Sequence, residues 1–294
     1  MRRNLGAHVW GAGCLLAFCV RVPQDGATFS PEPEAEMLSY QHIYHAGNLA
    51  DLHKHGLIAH MLDYMTRKDK PMSYLETHAG RGLYQLDAIE AIKTGEAAQG
   101  MSKLAKFYPP EHPYTKVVAK TRAEHGASAY PGSPLIAANI LRMTDTIHLC
   151  DLHPQEFAAL RDAMKPYGGI FHQKDGLEMA LALTPPSPRR GMMVIDPSYE
   201  MKSDYTVIPR RLFQIWRKWN VGTVALWYPV LASGAEREMV KVLKECFPIG
   251  LSSEVRFPPA REGHGMIGSG MFILNAPYGT EEEARRIEGH FRKL

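Results

Sequence analysis

Cysteine is scarce in this 294-residue chain. Four are present (Cys14, Cys19, Cys150 and Cys246), widely spread and with no CxxC pair. A disulfide framework or a zinc ribbon is therefore not expected, and a reducing compartment fits. There is no HExxH, no phosphate-loop lysine, no internal repeat and no low-complexity tract. Charge of one sign is also lacking: the net charge is only +3, too weak to demand a nucleic-acid partner by itself. What is there is ordinary for a soluble globular protein. The chain is 45% hydrophobic and 22% charged, enough to bury the core of one large domain or two small ones.

The first 36 residues differ from the rest. MRR, the fairly apolar GAGCLLAFCV (11–20) and the loop-like PQDGATFSPEPEAE share features with a secretory signal. Against that, His8 interrupts the apolar part, Arg21 bounds it and no A-x-A site follows. The stretch is too short to span a bilayer. We read 1–36 as an extension preceding a domain that starts at Met37 and runs to 294.

From Met37 onward strands and helices alternate. Asn48 is a candidate helix cap with Asp51 three residues on, and Leu57, Ile58, Met61, Leu62 and Met65 recur at helical spacing. MSYLET (72–77), TIHLCDL (146–152), GIFHQKD (169–175), GMMVIDP (191–197) and VGTVALWYP (221–229) read as strands. SSEVRF and GMFILNAP (270–277) read as two last strands able to pair. Helices are expected at 133–142, 154–164, 176–183, 212–219 and 237–247. The less regular 84–132 reads as a helical insertion. This alternation predicts an α/β fold, a Rossmann-like sheet with helices on both faces, whose ligands bind outside the carboxyl ends of the strands.

Those strand ends carry acids. The first ends in Glu76, followed by the glycine turn HAGRG (78–82), and the next three end in Asp151, Asp175-Gly176 and Asp196-Pro197. One acid opening a loop is ordinarily an N-cap. Four together beside a glycine turn suggest a nucleoside-containing ligand whose ribose hydroxyls and adenine amino group need acceptors. The turn, with Gly80 at its centre, is not a full G-x-G-x-x-G, so a dinucleotide or a triphosphate is disfavoured. S-adenosylmethionine has the ribose and adenine without the phosphates.

VIDPSYE (194–200) then acquires a meaning. The lone pair of an amine on a base is delocalised into the ring. A carboxylate accepting one N–H and a backbone carbonyl accepting the other localise it toward a methyl donor. Asp196 and the Pro197 carbonyl supply that pair, with Asp196 also placed as general base. Tyr199, which looks exposed, is available to stack on a base that has left its helix.

D-P-S-Y resembles the DPPY motif of amino-methyltransferases. MLSYQHIYHAGNLADLHKH (37–55), YLETHAGRGLYQL (74–86), YPGSPLIA (130–137), DLHP (151–154), RRGMMVIDPSYEMKSDY (189–205), ALWYPV (225–230) and GSGMFILNAP (268–277) resemble the RlmJ-type 23S ribosomal RNA adenine-N6 methyltransferases. The resemblance covers Met37 to about Pro277. The expected cofactor contacts are His55, His78, Gly80, Ser133, Asp151, Asp175, Gly176 and Asp196; the resemblance also implies that Asp196 is catalytic and that Tyr40 handles the RNA. It implies a small helical insertion on a Rossmann-like sheet. Ser198 departs from the second proline of DPPY, and Asp151 stands where glutamate is common.

Plainer readings compete. Five histidines (His42, His45, His53, His55 and His60) crowd 42–60, but His53 and His55 face different ways on a helix and no cysteine is near, so no metal is expected. In RRLFQIWRKW (210–219), Leu212, Trp216 and Trp219 are expected to pack on the sheet while Arg210, Arg211, Arg217 and Lys218 stay solvated. The expected protein is a cytoplasmic, monomeric, S-adenosylmethionine-dependent enzyme methylating N6 of an adenine in 23S ribosomal RNA, with no membrane partner. The alternatives are a DNA adenine-N6 methyltransferase and a non-catalytic RNA-binding protein on the same fold.

Overall fold

The computed structural model describes residues 42–260, 263 and 265–294. The 1–36 extension and Tyr40 lie outside the described residues. After a 3-10 turn at His42–Tyr44, helix α1 (Leu49–Thr66) leads into β1 (Ser73–Glu76). Strands β2 (Leu83–Gln85) and β3 (Ala129–Pro131) pair antiparallel as a separate ribbon. Between them lie α2 (Ile89–Thr94), α3 (Glu96–Met101), α4 (Leu104–Phe107) and α5 (Pro113–His125). The ribbon was not anticipated. It makes the helical segment leave and rejoin the fold at one point.

The chain continues through α6 (Ser133–Ile140), β4 (Thr146–Cys150), α7 (Pro154–Met164), β5 (Ile170–His172), α8 (Gly176–Leu183), β6 (Gly191–Ile195), α9 (Asp204–Lys218) and β7 (Thr223–Leu231). It ends with α10 (Arg237–Cys246), β8 (Leu251–Arg256), β9 (Met266–Leu274) and α11 (Thr280–Phe291). The main sheet has seven strands in the order β5-β4-β1-β6-β7-β9-β8. β5, β4, β1, β6 and β7 are parallel, and β9 runs antiparallel between β7 and β8. This is a doubly wound Rossmann-like sheet with a reversed hairpin at one edge.

Both faces are covered, so the central strands are buried and largely apolar. Side chains alternate between two cores. Tyr74, Met192 and Val194 join Leu57 and Ile58 of α1, Leu135 of α6 and Ile287 of α11. Leu75, Met193 and Ile195 join Ala180 of α8, Leu212 and Ile215 of α9 and Leu243 of α10. Trp219 is fully buried, as the reading of RRLFQIWRKW expected. Among the described residues no helix is long and apolar enough to cross a membrane.

Candidate active site

The order of strands reverses at β1. From β1 the chain moves out through β4 and β5, then returns to β6 on the other side. The carboxyl ends of β1 and β6 therefore bracket the crevice where such sheets take ligands. A cavity of about 480 Å³ lies there. His55, His78, Gly80, Ser133, Asp151, Asp175, Gly176, Asp196, Pro197 and Tyr199 all line it.

The turn after β1 is shaped by Gly80, whose φ of +59° suits glycine. Its N–H donates to Asp151 Oδ2 at 2.8 Å, and Asp151 Oδ1 accepts from the His153 N–H at 2.9 Å. Burial pushes the Asp151 carboxyl up to about 6 against these two bonds. Each oxygen keeps a lone pair for a ligand hydroxyl. Arg81, the cation in the same turn, is tied to Glu156.

Gly176 opens α8 directly behind β1. A Cβ there would lie 2.0 Å from the Thr77 carbonyl oxygen, so any other residue forces α8 off the strand end. Asp175 caps that helix, Oδ1 accepting from the Glu178 N–H at 2.7 Å. The capping and cavity-lining readings of Asp175 thus coexist. His78 Nδ1 lies 2.7 Å from Thr77 Oγ1. Ser133, the first residue of α6, donates to Glu76, whose other oxygen accepts from the Tyr74 hydroxyl at 2.9 Å. Burial pushes the Glu76 carboxyl up to about 8.

Two site residues passed over in the sequence lie on α1. Asn48 caps this helix, accepting from the Asp51 N–H, while the Asp51 carboxylate turns to the Gly47 N–H at 2.8 Å. The helix is enclosed by α3, α5, α6, α11 and β9, so its polar residues are buried as well. Lys54 Nζ lies 3.1 Å from Asp51 Oδ1 and 2.7 Å from Asp196 Oδ2, with the Trp227 ring centroid 5.5 Å away. Burial would raise the Asp51 carboxyl, yet the Lys54 ammonium above all, with His42 in hydrogen-bond contact, holds it well below the usual range. The signal was an acid and a lysine three apart in a helix that is otherwise mostly apolar residues and histidines. His55 sits beside them, Nδ1 2.8 Å from the Tyr130 hydroxyl.

Asp196 and Pro197 leave β6 into the cavity. Among the described residues no donor reaches the Pro197 carbonyl. Tyr199 corrects an expectation, because it is buried, not exposed. Its φ of +56° folds the ring inward, where the hydroxyl donates to the Trp227 carbonyl at 2.9 Å. The ring packs 4.9 Å from Tyr205. A left-handed non-glycine residue costs about 1–3 kcal/mol and clusters at functional sites.

One cluster lies elsewhere. His60, His112 and Glu283 place ligand-type atoms within 4.8 Å of one another. His112 Nδ1 accepts from the Tyr114 N–H at 3.2 Å, so the proton sits on Nε2, facing Glu283 Oε1 at 3.1 Å. Arg286 also clasps Glu283. That arrangement ties α5 to α11, and a metal there would have to displace a proton and face a guanidinium.

Residues 69–294 match the family model described as "Ribosomal RNA large subunit methyltransferase D, RlmJ". The chain is 37% identical over 257 residues to the ribosomal RNA large subunit methyltransferase J of Escherichia coli, covering 85% of this chain and 91% of that one. It is 35% identical to the enzyme of the same name from Haemophilus influenzae, covering 87% and 94%. A crystal structure of a Legionella pneumophila protein superposes with a TM-score of 0.75 at 34% identity, covering 84% of this chain and 92% of that one. The sheet order, the strand-end cavity and these matches together place the chain in the RlmJ family of ribosomal RNA large-subunit methyltransferases.

Proposed function

We propose that this protein transfers a methyl group from S-adenosylmethionine to N6 of one adenine in 23S ribosomal RNA, the base being flipped into the cavity. The observation that carries the reading is the pair at the end of β6. The Asp196 carboxylate, held by Lys54, stands beside a Pro197 carbonyl that no donor reaches among the described residues.

The cavity fits the cofactor. Its size lies in the usual small-molecule range of about 300–1,000 Å³. Asp151 offers acceptors for a ribose, the Gly80 turn lets the backbone approach closely, and Arg81 is engaged with Glu156 instead of awaiting a phosphate. His55 Nε2 is buried without a hydrogen-bond partner, an atom that calls for a ligand. When bound, S-adenosylmethionine supplies an electrophilic methyl group.

The chain's own residues prepare the amine. Asp196 Oδ2 is taken by Lys54, which leaves Oδ1 to accept one N–H of the exocyclic amine. The Pro197 carbonyl accepts the other, and the nitrogen lone pair is localised away from the ring. On gaining a fourth bond the nitrogen sheds a proton, which Asp196 is placed to take. The fixed Tyr199 ring gives the base a stacking wall, with stacking worth about 1–3 kcal/mol per base. The purified protein is to be offered labelled S-adenosylmethionine with protein-free 23S ribosomal RNA, 16S ribosomal RNA and duplex DNA, and the products read by nucleoside mass spectrometry. N6-methyladenosine in 23S ribosomal RNA alone supports the reading. Label in DNA refutes the substrate, and a different methylated nucleoside refutes the chemistry.

A further inference from the structure

His55 Nδ1 lies 2.8 Å from the Tyr130 hydroxyl, which lies 2.7 Å from the Tyr114 hydroxyl. All three side chains are buried, and His55 Nε2 has no partner. Two hydroxyl hydrogens and one imidazole hydrogen must be distributed over this chain. If Tyr130 donates to His55, Tyr114 can donate to Tyr130, both hydroxyl hydrogens are satisfied, and the one hydrogen left open is on Nε2 of a residue that lines the cavity. If His55 donates instead, the one contact between the two hydroxyls takes only one of their hydrogens. The other, on Tyr114 or on Tyr130, is stranded deep in the protein, because among the described residues neither hydroxyl has a further acceptor. The second arrangement also points the Nε2 lone pair toward Asp51 Oδ1, 3.7 Å away. The first places an N–H within that distance of the carboxylate, without a hydrogen bond to it.

We propose that Tyr114 and Tyr130 are positioning residues that lock His55 as its Nε2–H tautomer, making it a hydrogen-bond donor to an anionic or carbonyl acceptor of the bound cofactor. The proposal rests on the cofactor reading above and adds what holds that histidine ready. The ribose-type acceptors cluster at Asp151 and the amine acceptors at Asp196. The carboxylate of the cofactor's amino-acid end is the group of S-adenosylmethionine that needs a donor, which neither the Asp151 nor the Asp196 carboxylate supplies. Burial pushes the imidazole down to about 3, so it stays neutral and keeps one donor and one acceptor nitrogen. Tyr114 opens the inserted helix α5 and Tyr130 lies in β3. The lock therefore couples the insertion to the cofactor site without either tyrosine touching the reacting atoms.

The test uses the full chain, labelled with nitrogen-15 in histidine, with and without S-adenosylmethionine. Long-range proton–nitrogen correlation is expected to show His55 protonated at Nε2 in both states. A spectrum with the proton on Nδ1 overturns the proposal whatever the variants do. Tyr130→Phe is expected to mix the two tautomers and to weaken S-adenosylmethionine binding about 5- to 20-fold, the loss of one to two hydrogen bonds. The rate at saturating cofactor should stay within about 2-fold of wild type, a split in affinity and turnover that general destabilisation does not produce. His55→Gln, which keeps an N–H near the Nε2 position, should retain more affinity than His55→Asn. Equal affinities in Tyr130→Phe and wild type refute the lock and leave the function standing. Failure of the wild-type protein to bind S-adenosylmethionine refutes the cofactor reading, and the tautomer is still decided by the spectrum.

Discussion

Lys54 Nζ stands 2.7 Å from Asp196 Oδ2 and 3.1 Å from Asp51 Oδ1, so a single buried cation joins helix α1 to the end of β6. Lys54→Met leaves two carboxylates without their counter-charge in a poorly solvated place. Removing one partner of such a group costs about 3–5 kcal/mol, and we expect a stability loss of that order together with a fall in turnover of about 100-fold or more. Chemical denaturation and single-turnover transfer check the two parts. A variant of wild-type stability and rate would remove the bridge from the account.

Gly176→Ala inserts a methyl group 2.0 Å from the Thr77 carbonyl oxygen. The start of α8 must move, and with it Asp175. Overpacking of this kind costs about 1–3 kcal/mol. Calorimetry is expected to show cofactor affinity falling about 10-fold or more, while far-ultraviolet circular dichroism keeps its native shape.

Glu76 sets a pH dependence. Its folded carboxyl is raised to about 8 from an ordinary value of 4.5. The folded state therefore holds a proton that the unfolded chain releases. The associated stability is fully present below about pH 4.5 and is lost as the pH rises through about 8. Glu76→Gln mimics the protonated form, so its melting temperature relative to wild type should climb between about pH 5 and pH 9. A difference independent of pH would show that Glu76 is ionised throughout.

Tyr199→Phe deletes only the hydroxyl, with its hydrogen bond to the Trp227 carbonyl and its weaker contact to Met239 Sδ at 3.9 Å. It should cost about 1 kcal/mol of stability and leave most of the transfer rate. Tyr199→Ala removes the wall on which a base would lie, and should raise the KM for RNA far more than the Kd for S-adenosylmethionine. Equal losses in both variants would make the hydroxyl, and not the ring, the functional part.

Much of this site was legible in the sequence because strand-end residues are marked by a change of pattern. An apolar run stops, an acid or a glycine follows, and the parallel fold brings such places together. Lys54 and Asp51 lacked that mark. Charged residues on a helix ordinarily read as a solvated face, and only the packing of α3, α5, α6, α11 and β9 around α1 shows otherwise. The burial of Tyr199 follows from a positive φ fixed by its tertiary partners, which no local pattern encodes. Strands β2 and β3 have three residues each, too few to display a period. Helix α11 was passed over, although Ala284, Ile287 and Phe291 recur at helical spacing in a mostly charged stretch.

In the proposed reaction Asp196 acts chiefly on the amine. Labelled methyl transfer to protein-free 23S ribosomal RNA by wild type and Asp196→Ala, with S-adenosylmethionine affinity determined on the same preparations, separates that role from cofactor binding. The wild type is expected to yield N6-methyladenosine and the variant none detectable, with cofactor affinities within about 5-fold of each other, or about 1 kcal/mol. Turnover by Asp196→Ala at the wild-type rate would contradict it.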